Sequence, residues 1–173
     1  LKDDADLIKC RAPAEYRADR EATLLHFLMG YPHGNHLPNV VEIARVLIES
    51  GADVESLDGN TEGSTPLQLL MGIETPTKHE VDLARLLLEV GAPTTRVNID
   101  QSGMDVFSVA LLHGHTECAA LMYERGHPPN FPWAGAGLGK MPLVRSFFGE
   151  GDDTTLRAED RRDSLGEEAD RQM

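Results

Sequence analysis

The sequence predicts an all-α fold in which antiparallel helix pairs stack side by side, joined by β-turn fingers, as a solenoid. Three stretches of the chain end alike, at residues 44–53, 84–93 and 119–128, and a weaker copy lies at 144–152. Self-similarity at intervals of some tens of residues is typical of repeat proteins, in which each unit packs on its neighbours and the core is continuous. The repeat therefore predicts the fold class.

Each copy predicts an outer helix that ends at a glycine. Glycine adopts a positive φ without a Cβ penalty, so it closes helices with a left-handed residue. Apolar or small residues stand three, four, seven and eight positions before the glycine, which is the spacing of one helical face. The closing glycines are Gly51, Gly91, Gly126 and Gly151, and the core positions four residues before them are Leu47, Leu87, Met122 and Phe147.

A shorter inner helix is expected before each outer helix. Thr23, Thr65 and Asp105 are good N-caps, and Pro66 fits the first helical turn. In the fourth copy the inner helix, 134–139, is rich in glycine and intrinsically weak, so we expect it to fray unless it is packed. Insertions rich in helix breakers, 31–39 and 75–79, are expected between the two helices of the first and second copies.

Four short segments carry a family resemblance. The openings at 23–26 and 65–68, the Gly-Ala-Asp ending at 51–53 and the Gly-His-Thr-Glu turn at 114–117 resemble the ankyrin repeat family, in particular its bacterial members. That family has a unit of about 33 residues with a β-turn and two helices. The resemblance implies repeats at 23–55, 56–96, 97–130 and 131–151. Residues 1–22 would end a preceding repeat or form a cap, and 152–173 would be an acidic tail or the start of a further repeat.

The composition limits the function. The formal net charge of −13 repels phosphate backbones, which argues against nucleic-acid binding. No run approaches the roughly 18 to 20 apolar residues of a membrane span. Two cysteines, Cys10 and Cys118, cannot staple a fold of this size and indicate a reducing compartment. We therefore expect a soluble, cytoplasmic protein that is a monomer.

The sequence offers no catalytic or metal site. His26 and His115 occupy slots in which ankyrin-like stacks use imidazole to bond neighbouring backbone, so we expect structural roles for both. His33 and His36 share a loop and could serve zinc with a third ligand, but a solvated loop is favoured because nothing nearby completes a tetrahedral set. No nucleophile motif or phosphate-binding loop is present. We expect no enzyme activity, no metal and no cofactor.

The copies differ most in the fingers that join successive units. We expect a non-catalytic protein-binding module that grips a neutral or basic protein through its concave face and fingers. An alternative is a regulatory or substrate-recruiting segment of a larger enzyme, and a third is a structural spacer. Trp133 could either anchor an interface or plug the stack. The candidate binding residues, expected to be free of packing duty, are Asp58, Asn60, Arg96, Asn98, Asp100, Phe131 and Trp133.

Overall fold

The computed structural model describes residues 7–12, 21–30, 36–59, 63–98, 104–127, 129 and 131–148. This part of the chain is mostly helical, as the sequence predicts, with a single short hairpin. A 3-10 turn (Leu7–Lys9) precedes α1 (Leu24–Met29), α2 (Val40–Glu49), α3 (Pro66–Met71), α4 (Glu80–Glu89), β1 (Val97–Asn98), β2 (Met104–Asp105), α5 (Val106–Leu112), α6 (Thr116–Glu124), α7 (Pro132–Gly137) and α8 (Met141–Ser146). The chain divides into two compact units, 1–127 and 128–173.

In the first unit the helices form two layers. The short helices α1, α3 and α5 pack on one another in chain order, and the longer helices α2, α4 and α6 do the same. Each short helix also packs on the long helix that follows it. We call the first set the inner helices and the second the outer helices. The core lies between these layers.

The predicted core positions of the three outer helices are confirmed. Leu87 and Met122 are fully buried and Leu47 is 7% exposed. The small residues Ala44, Ala84 and Ala119, which stand three positions earlier, are completely buried. A methyl group at this position lets neighbouring helices approach closely, so both the stripe and its small-residue position are explained by packing.

The predicted glycine caps are present in these three copies. Gly51, Gly91 and Gly126 have φ values of 97°, 90° and 90°. After the first of them the N–H of Ala52 donates to the Leu47 carbonyl over 2.9 Å, which satisfies a carbonyl of the last turn. Gly151, the predicted cap of the fourth copy, lies outside the described residues.

The inner helices begin at the predicted caps. Oγ1 of Thr65 accepts a hydrogen bond of 3.3 Å from the backbone N–H of Gln68, and Pro66 occupies the first turn. In the third copy the Asp105 side chain accepts 2.8 Å from the backbone N–H of Ser108. The insertion 75–79 lies between α3 and α4 as expected, and 36–39 precedes α2, while 31–35 lies outside the described residues.

The second unit contains one helix pair, α7 and α8, which pack together. The glycine-rich α7 is helical and packed, which is the condition under which the sequence predicts that it does not fray. A Cβ at Gly135 would lie 2.9 Å from the backbone nitrogen of Val144, so glycine permits the close approach of α8. The predicted outer helix α8 exists, with Pro142 in its first turn, but none of its residues is fully buried and Phe147 is half-buried.

Candidate binding surface

The first finger comprises residues 56–59 and 63–64 in the described part of the chain. Its two arms are held together through Asp58, whose backbone N–H donates to the Ser64 carbonyl over 3.1 Å. The Asp58 carboxylate in turn accepts from the backbone N–H of Ser64 over 2.6 Å. Gly63, with φ of 65°, leaves no room for a Cβ, which would lie 2.8 Å from Cβ of Leu57. These contacts make the base of the finger compact.

The expectation that Asp58 is free of packing duty is wrong. Its residue surface is 7% exposed, and its carboxylate is used inside the finger. A buried carboxylate needs hydrogen-bond donors, and the Ser64 N–H supplies one. Asn60, the neighbouring candidate, lies outside the described residues. The sequence pattern could not show that the Asp58 side chain is bound by the backbone of Ser64.

His26 connects the first finger to helix α1. Its ring is completely buried, and Nε2 lies 3.2 Å from the Ser56 carbonyl and 3.0 Å from the Ser64 carbonyl. Nδ1 accepts from the backbone N–H of Thr23 over 3.1 Å. Since a carbonyl only accepts and a backbone N–H only donates, the ring is the neutral Nε2–H tautomer. The predicted structural role of this histidine, hydrogen bonding to neighbouring backbone, is confirmed.

Burial lowers the pKa of His26 below its ordinary value of 6.5. The hydrogen bond to the Ser64 carbonyl and the charge of Asp58 act against this shift and are weaker, while the charge of Arg11 acts in the same direction as burial. Arg11 also lies at the finger, since its guanidinium donates 2.7 Å to the Leu57 carbonyl. The ring is therefore held neutral by its surroundings.

The second finger is the antiparallel hairpin β1–β2, in which Val97 pairs with Asp105 and Asn98 with Met104. The side chain of Val97 is 48% exposed. Among the predicted binding residues, Arg96 precedes β1 and is partly buried, and the backbone of Asn98 lies within β1. Asp100 lies outside the described residues. The structure thus places Arg96 and Asn98 on one arm of this finger.

Two side chains hold the arms of the second finger. Nε2 of Gln68 donates 3.3 Å to the Arg96 carbonyl, and Oε1 of the same amide accepts 2.9 Å from the N–H of Thr65. His127 bridges the two arms, with Nδ1 3.0 Å from Oγ1 of Thr94 and Nε2 3.2 Å from a carboxylate oxygen of Asp105. The sequence reasoning missed His127. Its position directly after the closing glycine of α6, where the first two copies carry alanine, was the available signal.

Asp105 has an opposing pair of influences on its pKa. Burial alone raises the pKa, but the hydrogen bonds from His127 and Ser108 outweigh it and hold the pKa below its ordinary value of 3.8. The carboxylate is therefore ionised at neutral pH and accepts from the Nε2–H of His127. The His127 ring also stacks on Phe107, with centroids 4.9 Å apart. This histidine is anchored by the third repeat and positions the finger before it.

The inner helices carry no aspartate, glutamate, lysine or arginine. Their outward side chains are apolar: Leu112 is 60% exposed, Leu24 is 36% exposed, and Phe27 and Leu69 are partly buried. The outer helices carry charges instead, among them Glu49 and Glu89, both of which are exposed. Exposed apolar area of this kind is a feature of interaction surfaces.

A buried polar link joins the second and third outer helices. Nδ1 of His115 lies 2.8 Å from a carboxylate oxygen of Glu80, and Nε2 lies 2.8 Å from the Ile73 carbonyl. The two ring nitrogens of His115 are thus both hydrogen-bonded, one to a side chain and one to the backbone. Glu80 also accepts 2.7 Å from the N–H of Thr77. The expected backbone bond of His115 is confirmed, whereas the buried glutamate was not foreseen, because Glu80 opens a helix in which first-turn acids are usually solvated.

Cys118 of α6 is affected by the charge of the same glutamate, Glu80. Burial first, and then the charges of Glu80 and Glu117, raise the pKa of its thiol to about 12. A thiol of such high pKa is not a nucleophile at neutral pH. The residue belongs to the core stripe of α6, where it is completely buried.

The second unit carries an aromatic pair. Phe131 caps α7 and Trp133 lies in its first turn, with the rings stacked at a centroid distance of 5.6 Å and an angle of 11°. Trp133 is 42% exposed. Between the two alternatives considered for this residue, the structure therefore favours a side chain that offers aromatic surface within its own unit.

Within the described residues, no three His, Cys, Asp or Glu side chains are grouped so that they could hold a metal ion. His36 is exposed, and His33 falls outside the described ranges. No helix in the described part of the chain is long and apolar enough to cross a bilayer. No protein-family model matches the chain, and no curated protein matches it.

Proposed function

We propose that the chain is a non-catalytic, protein-binding module of the ankyrin-repeat type. The observation that carries this proposal is the distribution of charge between layers: the inner helices have no charged side chain and expose Leu24 and Leu112, whereas the outer helices carry the charges. The glycine caps and the two-layer order of α1 to α6 support the repeat assignment. In ankyrin stacks the inner helices and fingers line the concave, ligand-gripping side.

The docking surface proposed on the first unit centres on the second finger and the inner helices. Val97 and Leu112 supply exposed apolar area there, and Arg96 lies at the start of the finger. Arginine is enriched among the residues that dominate interface energetics, and the contacts around such residues exclude water. Asp58 is removed from this surface because its carboxylate stabilises the first finger. Asn60, Asn98 and Asp100 remain candidates on the basis of the sequence.

The aromatic pair of the second unit is a further candidate contact. Stacked Phe131 and Trp133 present a rigid surface, and rigid aromatic groups lose little conformational entropy on binding. The net charge of −13 favours a partner that is neutral or basic. The partner therefore combines apolar contact residues with few acidic ones.

The test compares two faces of the first unit. A Val97→Asp and Leu112→Asp variant places charge on the proposed surface, whereas Glu49→Ala and Glu89→Ala remove charge from the outer helices. Each variant, tagged and crosslinked in its native cells, is compared with the wild type for the protein it recovers. We expect the first variant to lose that protein while keeping its circular dichroism, and the control to retain it. Loss in the control alone would refute the proposed surface.

A further inference from the structure

In each of the first two repeats, the side chain three residues after the N-cap of the inner helix hydrogen-bonds to the base of a finger, and we call this position the slot. The slot holds a different residue in the two repeats. In the first repeat the residue is His26, which accepts from Thr23 N–H and donates to carbonyls of both finger arms. In the second repeat it is Gln68, three residues after its N-cap as His26 is. The amide reproduces the histidine's pattern: one atom accepts from the N-cap N–H and the other donates to a finger carbonyl.

The difference between the two fillings is chemical. An imidazole gains a proton near neutral pH, whereas a primary amide does not. The slot is almost fully desolvated, since His26 is 0% and Gln68 4% exposed. A proton added to His26 would enter at Nδ1, where the N–H of Thr23 already points. Oγ1 of Thr23, 2.8 Å from Nδ1, could accept that proton's bond, but the bond from the backbone N–H would be lost.

We propose that acid loosens the base of the first finger and leaves the base of the second unchanged, because the shared slot holds histidine in one repeat and glutamine in the next. The biological meaning of this pH response rests on the proposed function, in which the fingers contact a partner. Mild acid would then alter one part of the docking surface and spare another. The pH response itself does not require a bound partner.

The direction of the pH response follows from the coupling between proton binding to His26 and opening of the finger base. The charged groups that act on His26 are Asp58 in the finger and Arg11 in the preceding segment, and burial outweighs both in lowering the pKa. When the base opens and the ring is hydrated, the pKa returns toward 6.5. Below that pH the open form is protonated, whereas the closed form, whose pKa is lower, still excludes the proton. Opening then becomes more frequent by up to about tenfold for each pH unit.

The histidine of the second finger has different hydrogen-bond partners. His127 donates from Nε2 to the ionised carboxylate of Asp105, the charged group that faces it. Its Nδ1 faces the hydroxyl of Thr94, which can accept as well as donate. Neither partner is a backbone N–H, in contrast to the Thr23 N–H that points at Nδ1 of His26. The arrangement proposed to respond to acid is therefore that of His26.

The experiment measures amide hydrogen-exchange protection factors in the full chain without a partner, between about pH 7.5 and about pH 5, where carboxylates in general stay ionised. Protection factors correct for the intrinsic pH dependence of exchange. In the wild type we expect the factors at Asp58 and Ser64 to fall by up to about tenfold per pH unit below 6.5, while those of β1 and β2 stay level. In His26→Gln the protection factors of the first finger should not change with pH either.

The reciprocal variant, Gln68→His, should transfer the acid response to β1 and β2. It also decides the matter if His26→Gln does not fold. The inference is overturned if the protection factors of the first finger in the wild type do not fall in acid, or if they fall equally in His26→Gln. It is also overturned if the protection factors of the second finger in Gln68→His do not change with pH. A failed search for a binding partner would leave these results untouched, so the two proposals fail separately.

Discussion

The outer helices α4 and α8 share one sequence pattern but differ in burial. In α4 the residues Leu83, Ala84 and Leu87 are completely buried. In α8 the equivalent Leu143 and Val144 are half-buried, and no residue is fully buried. Helix α4 packs against α2, α3 and α6, whereas α8 packs against α7 within its own unit. A helical stripe therefore predicts which face turns inward, and the neighbours determine how completely that face is covered.

The largest expected effect tests this difference directly. Leu87→Ala removes a completely buried side chain between several helices and should lower the free energy of unfolding by about 2 to 5 kcal/mol. Phe147→Ala in the equivalent half-buried position should cost less, despite the larger side chain. Urea unfolding followed by far-UV circular dichroism gives both values. A larger loss for Phe147→Ala would show that the repeat register is wrong.

The second prediction concerns the buried link between α4 and α6. Glu80→Ala leaves the buried His115 ring without its carboxylate partner and should cost about 3 kcal/mol. The matched control is Glu89→Ala at the other end of α4, whose carboxylate lies 3.9 Å from Arg125 at an exposed site. That change should cost less than about 1 kcal/mol. Equal losses in urea unfolding would mean that the buried link contributes no more than a surface pair.

The third prediction concerns the helix pair of the second unit. Gly135→Ala places a methyl group 2.9 Å from the Val144 nitrogen and should destabilise the pair by about 1 to 3 kcal/mol. Gly137→Ala, at an exposed position of the same helix, should instead stabilise it by up to about 1 kcal/mol. Trp133 is the one tryptophan of the chain and lies in α7, so its emission reports this unit. Stabilisation by both changes would argue against the close approach.

The smallest expected effect is the acid dependence of the Asp105 network in the first unit. The pKa of Asp105 in the folded chain is lower than its ordinary value of 3.8. Its contribution to stability is therefore present at pH values above 3.8 and is lost as the pH falls through the pKa of the folded chain. The difference in thermal midpoint between wild type and Asp105→Asn should therefore shrink in acid. Asp82→Asn, at an exposed site in α4, should show no such narrowing. A constant difference for Asp105→Asn would contradict the hydrogen bonds that His127 and Ser108 make to the ionised Asp105 carboxylate.

The two fingers show which features of the site the sequence predicts and which it does not. It located both fingers and proposed Asp58 and Arg96 as exposed contacts, because the copies differ there. Asp58 instead folds onto Ser64, six residues further along the chain, and Arg96 is partly buried. Variation among copies indicates release from the common packing pattern, but a residue can still be bound by contacts that are particular to its own unit.

The sequence by itself determined the helices, their caps and their inward faces. These features depend on residues within a few positions of one another, as in the Thr65–Gln68 cap and the positive φ of Gly91. The tertiary structure decided the polar contacts that hold the fingers and the outer helices. His26 reaches carbonyls 30 and 38 residues away, and His115 reaches a carboxylate 35 residues away. Such contacts depend on how successive helix pairs pack, because the donor and acceptor come together only in the folded chain.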